Sequence, residues 1–117
     1  MANSLINVIG TNVQTATFTA NTYISAGSFT FVQIGKVVVF FAEYTLAQNI
    51  SSSASVDFSG FPKTIDSKNF KYHDWDTEDT SEFGDHSRFF RIAANNCHIK
   101  GAHTAGVTYR TCGVYLA

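Results

Sequence analysis

The sequence predicts an all-β fold, an antiparallel β-sandwich of jelly-roll type with about eight strands. Three observations predict it. Eleven Phe, five Tyr and many Val and Thr, against one Pro and one Met, favour strands, and no stretch has the apolar period of an amphipathic helix. Residues 28–46 read as a long hairpin bent at Ile34-Gly35. Residues 88–117 read as a β-meander that runs to the last residue. At 117 residues, 44% hydrophobic and 15% aromatic, the chain holds enough apolar mass for one compact core, so a single domain over 1–117 is expected, with 1–13 an N-terminal strand or the stub of a stalk.

Taken in order, Leu5 to Ile9 is a short apolar segment ended by Gly10, and residues 14–24 are Thr-rich with Phe18 and Tyr23 placed for strands. In the hairpin, a two-residue turn at Ile34-Gly35 sets Phe31 opposite Val38 and Phe29 opposite Phe40, all on one face. Alternation then sends Val32, Val37, Val39 and Phe41 to the other face, which is also apolar. One face packs on a second sheet of the same chain. The other needs a different cover, and Val37, Val39 and Phe41 are therefore the candidate oligomer interface.

Residues 48–55 are a polar, Ser-rich loop, 56–61 a brief strand stopped by Pro62, and 70–75 a further strand. The 12 residues 74–85 hold six of the nine acidic groups and read as an exposed loop. In the meander, a turn at Asn95-Asn96 pairs Ile92 with Ile99 and leaves Arg91 and Lys100 on the opposite face, among solvent or acidic neighbours. A second turn within residues 103–106 leads to a closing strand anchored by Val107, Tyr109 and Tyr115. One register of this turn sets Cys97 opposite Cys112 and allows a disulfide; the register one residue away pairs Ile99 with Tyr109 and forbids it. The second pairs apolar residues better, so free, buried thiols are expected, in keeping with assembly in a reducing cytoplasm.

Charge and motifs narrow the function. A net charge of -1 argues against nucleic acid as a partner, because its binders carry a clustered positive field. The longest apolar run, residues 37–42, is too short to span a bilayer, and Met1-Ala2-Asn3-Ser4 lacks the basic and apolar regions of a signal peptide. The chain has no G-x-S-x-G elbow, P-loop or H-E-x-x-H, and no enzymatic activity or cofactor is expected. The four His at 73, 86, 98 and 103 lack tight metal-ligand spacing. An EF-hand started at Asp74 would put Asp79 where Gly is needed and Asp85 where a bidentate Glu belongs, so no metal site is assigned.

The segment Val32-Gln33-Ile34-Gly35-Lys36-Val37-Val38-Val39, the turn Gly60-Phe61-Pro62 and the ending Thr108-Tyr109-Arg110-Thr111-Cys112-Gly113-Val114-Tyr115-Leu116-Ala117 form a pattern. It resembles the C-terminal receptor-binding head domains of bacteriophage tail fibres and baseplate proteins, over residues 28–62 and 88–117. That resemblance implies a homotrimer of β-sandwich heads, made in the host cytoplasm and carried on the tail appendage of a virion, that binds a bacterial surface saccharide or protein. The acidic loop lies outside the pattern.

The candidate ligand site is that loop: His73, Asp74, Trp75, Asp76, Glu82, Asp85 and His86. An exposed indole flanked by carboxylates suits a sugar, whose C–H face packs on the ring while its hydroxyls donate to Asp oxygens. The competing reading tucks Trp75 and Phe83 against the core edge and pairs the acids with Lys68, Lys71, Arg88 and Arg91. The expectation is thus a host-recognition domain. The alternatives are a trimerising cap or scaffold with no ligand, and a small lectin or carbohydrate-active protein.

Overall fold

The computed structural model describes residues 13–76 and 88–117. Leu5 to Ile9 and the 77–87 part of the acidic loop lie outside the described residues. Among the described residues, ten strands form two five-stranded antiparallel sheets that pack as a sandwich, as the composition leads one to expect. They are β1 (Gln14–Thr15), β2 (Thr17–Thr19), β3 (Ile24–Ile34), β4 (Val37–Leu46), β5 (Ser53–Ser59), β6 (Asn69–His73), β7 (Trp75–Asp76), β8 (Phe89–Ala93), β9 (Asn96–Lys100) and β10 (Thr108–Leu116). Sheet A has the order β1-β3-β4-β10-β7, and sheet B the order β2-β5-β9-β8-β6.

The β3-β4 hairpin keeps the faces read from alternation but slides its register. The turn falls at Gly35-Lys36, so Phe31 pairs with Phe40 and Phe29 with Ala42. Gly35 has φ +60, the first central position where a two-residue hairpin turn favours glycine, and this outweighs the other placement. The shift is an even number of residues, so Phe29, Phe31, Val38 and Phe40 still point inward. Their rings form the middle of the core: Phe29 stacks on Phe40 at 5.2 Å, Tyr72 meets Phe40 edge-on at 4.8 Å, and Phe58 and Phe61 close on Phe29 at 5.4 and 5.1 Å. Burying rings of this size supplies about 2–3 kcal/mol each, the main drive for closing two sheets on one another.

The meander expected over residues 88–117 is only half present. Strands β8 and β9 form a hairpin, turning at Ala94-Asn95 with Ala94 at φ 54, so Ile92 pairs with Cys97 and not with Ile99. The closing strand then leaves for the other sheet, where β10 inserts between β4 and β7. The free edge of β9 is taken by β5. Gly101 (φ +91) and the bridge between Ile50 and His103 carry the chain across. Neither sequence register between β9 and β10 exists. Cys97 is buried in the core, whereas Cys112 is exposed on the outside of sheet A, which corrects the expectation of two buried thiols. The 70–75 strand likewise divides: β6 belongs to sheet B and β7 to sheet A, with Asp74 at the crossing.

Candidate functional site at the crossing and the outer faces

Asp74 is the pivot of the crossing, and it is 2% exposed. The expectation that it sits on an open loop is corrected: a single carboxylate enters the core because three partners await it. The Tyr44 hydroxyl donates to Oδ2 at 2.5 Å, His103 Nε2 lies 2.6 Å from the same oxygen, and Arg88 Nε stands 3.5 Å from Oδ1. The last is an ion pair too long for a good hydrogen bond. His103 Nδ1 donates to the Gly101 carbonyl at 3.0 Å, so a second proton must lie between Nε2 and Oδ2, since a carbonyl and a carboxylate only accept. The Arg88 guanidinium also covers the Tyr109 ring at 5.1 Å, and the Tyr109 hydroxyl accepts from the Thr104 amide at 2.8 Å. Burial, then the nearby Asp74 charge, pushes the Tyr44 phenol well above its ordinary value, keeping it a donor. The cluster is closed from solvent and serves to lock the crossing.

Locking Asp74 inward fixes its neighbour outward. Trp75 is 44% exposed and pairs across the strand with Arg110, on the outer face of sheet A. Of the two readings of Trp75, the tucked one does not describe this geometry. His73 is exposed at the end of β6 and its carbonyl accepts from Thr111 Oγ1 at 2.7 Å; Asp76 is half-buried in β7. His73 and Trp75 rings lie 6.4 Å apart. Glu82, Asp85, His86 and Phe83 lie outside the described residues. Of the seven expected ligand residues, His73 and Trp75 therefore stay together at an accessible place, Asp76 is half-buried on the face of β7 that pairs with Tyr109, and Asp74 supports them from inside. Among the described residues no group of three or more His, Cys, Asp or Glu side chains is arranged to hold a metal ion.

The proposed interface residues also point outward. Val37, Val39 and Phe41 are 39%, 47% and 43% exposed. The register sets Leu116 beside Val37, Val114 beside Val39 and Cys112 beside Phe41, with Ile34 and Val32 completing the first two rows from β3. Sequence reasoning missed the β10 side of this patch because it placed β10 against β9. One row further along, polar residues take over as Glu43, Arg110 and Trp75. A shallow groove of about 220 Å³ opens there, lined by Ser28, Glu43, Thr45 and Thr108 among others.

No family model matches this chain, and neither a curated protein nor a solved structure does so.

Proposed function

We propose that this chain is a non-enzymatic receptor-binding head of a bacteriophage tail fibre or related appendage, working as a homotrimer on a bacterial surface saccharide. The apolar outer face of sheet A carries the reading. Val32, Ile34, Val37, Val39, Phe41, Val114 and Leu116 make a contiguous patch of three rows on three adjacent strands, and isolated soluble domains rarely leave such a patch open. Self-association through it explains why both faces of β4 are apolar. Trp75 then stands at the polar border of the same face, free to take the C–H side of a pyranose, with Asp76 and His73 nearby. Weak sites suffice, because many copies of the head on one particle multiply them.

A saccharide array tests the reading. Binding by the wild-type chain, lost in Trp75→Ala with the fold intact, is expected; normal binding by that variant would remove Trp75 from the site. The scaffold reading has one observation in its favour. Asp74, the carboxylate next to the indole, is turned into the core and offers nothing to a ligand. A chain that forms the trimer and binds no saccharide would support the scaffold.

A further inference from the structure

A net charge of -1 conceals an uneven distribution. The outer face of sheet B gathers cations in cross-strand rows. Lys71, Arg91 and His98 stand side by side in one row that ends on Ser55. The next row sets His73, Phe89 and Lys100 beside Ser53. At about 4.8 Å between strands, the first row brings three nitrogen-bearing side chains within about 10 Å. Like charges facing each other weaken a sheet, so the arrangement is not explained by folding.

Among the described residues the one acid on the strands of sheet B is Asp57, beside Ser55 at the β5 end of the row, where its charge acts on His98 while its carboxylate is held by Asn21 Nδ2 at 2.9 Å and Ser55 Oγ at 2.8 Å. Among the described residues, no ion pair engages Lys71, Arg91 or Lys100. Arg91 Nε and His98 Nδ1 are screened from water yet have no hydrogen-bond partner. Burial, and then the charges of Arg91 and Lys100, hold the His98 ring below its ordinary pKa, against a smaller opposing pull from Asp57. Beside them an open groove of about 210 Å³ runs along Lys71, Tyr72, His73 and Phe89.

We infer that the outer face of sheet B binds an anionic polysaccharide, whose phosphate or carboxylate groups meet Lys71, Arg91 and Lys100 while its hydroxyls reach Ser53 and Ser55. This rests on the saccharide-binding reading and puts the charged contact on sheet B, around the edge from Trp75, with His73 between the two. A sugar polymer is favoured over nucleic acid because the aromatic ring of this face, Phe89, is already covered by Lys71 Nζ at 5.1 Å. Among the described residues, that leaves no uncovered Phe on the outward rows of this face on which bases could stack.

The test is a fluorescence titration of the full chain with poly(glycerol phosphate), polygalacturonate, neutral dextran and oligothymidylate, at low and then rising salt. Wild type should bind one or both anionic glycans, with affinity falling steeply as salt rises. Poly(glycerol phosphate) against polygalacturonate tells phosphate from carboxylate recognition. The double variant Lys71→Gln/Lys100→Gln should lose at least tenfold in affinity with its melting temperature kept, while Lys36→Gln, which removes a charge at the β3-β4 turn away from this face, binds the anionic glycans normally. Unchanged anionic binding by the lysine variant overturns the inference, as does tighter binding of oligothymidylate than of either glycan, or no binding of any anionic glycan. Dextran binding that depends on Trp75, with no role for the lysines, would overturn this face alone and leave the saccharide reading standing.

Discussion

Asp74 shows how one residue can set both a fold and a site. Its carboxylate satisfies Tyr44, His103 and Arg88 at the place where the chain passes from sheet B to sheet A. Removing one member of such a buried charged set leaves the others uncompensated. Asp74→Ala should therefore cost about 3–5 kcal/mol in urea unfolding, and Tyr44→Phe only about 1–2 kcal/mol, since the carboxylate keeps His103. Equal, small losses for both variants would mean that the cluster does not hold the crossing. Histidine 98 makes a second prediction. Its pKa is lowered from an ordinary 6.5, so the unfolded chain takes up the proton first as pH falls. The stability it contributes is present above 6.5 and lost below, and that of Asp57, whose carboxyl is held down first by Asn21 and then by Ser55, is lost below 3.8. The melting temperature should drop between about pH 7 and about pH 5, and drop less in His98→Gln. An identical decline in both proteins would show that His98 is not the group responsible.

Among the elements, β10 joins most of what matters: it pairs with β4 along nine residues, with β7 at Trp75, and adds Val114 and Leu116 to the outer apolar patch. Gly113 lets it lie close to sheet B, because a Cβ there would collide with the Tyr72 ring, whose hydroxyl donates to the Val114 carbonyl at 2.8 Å. Gly113→Ala should destabilise by about 1–3 kcal/mol, read by chemical denaturation, as overpacked cores do. A neutral effect would mean that Tyr72 swings aside freely. The faces of β3, β4, β8 and β9 were legible from alternation alone, because a period of two survives small errors in turn position. Partners across the sandwich were not. Whether β10 follows β9 or joins β4 depends on which inward rings fit together, as in Tyr44 stacked with Tyr109 at 6.3 Å, and no local pattern encodes that choice. The site suffered likewise. Trp75 was readable as a lone exposed indole, whereas Asp74 was assigned to solvent by the company of its acidic neighbours. Arg91 and Lys100 were correctly put on one outer face, yet Lys71 came beside Arg91 and His98 only through the register of three strands.

Seen whole, the sandwich has two outer faces of unlike chemistry, one apolar along β3, β4 and β10, the other cationic along β6, β8 and β9. Such a division suits an assembly in which the apolar faces meet at a shared axis and the cationic faces look outward. Charging the first should disperse the subunits without unfolding them: Val39→Asp and Val114→Asp, 47% and 52% exposed, are expected to give well-folded monomers. The most direct measurement is the solution mass of the wild-type chain by light scattering. A particle of three times 12.8 kDa, reduced to one chain by Val39→Asp, is the expected result. A wild-type monomer, stable at high concentration with the apolar face open, would contradict self-association and with it the trimeric head.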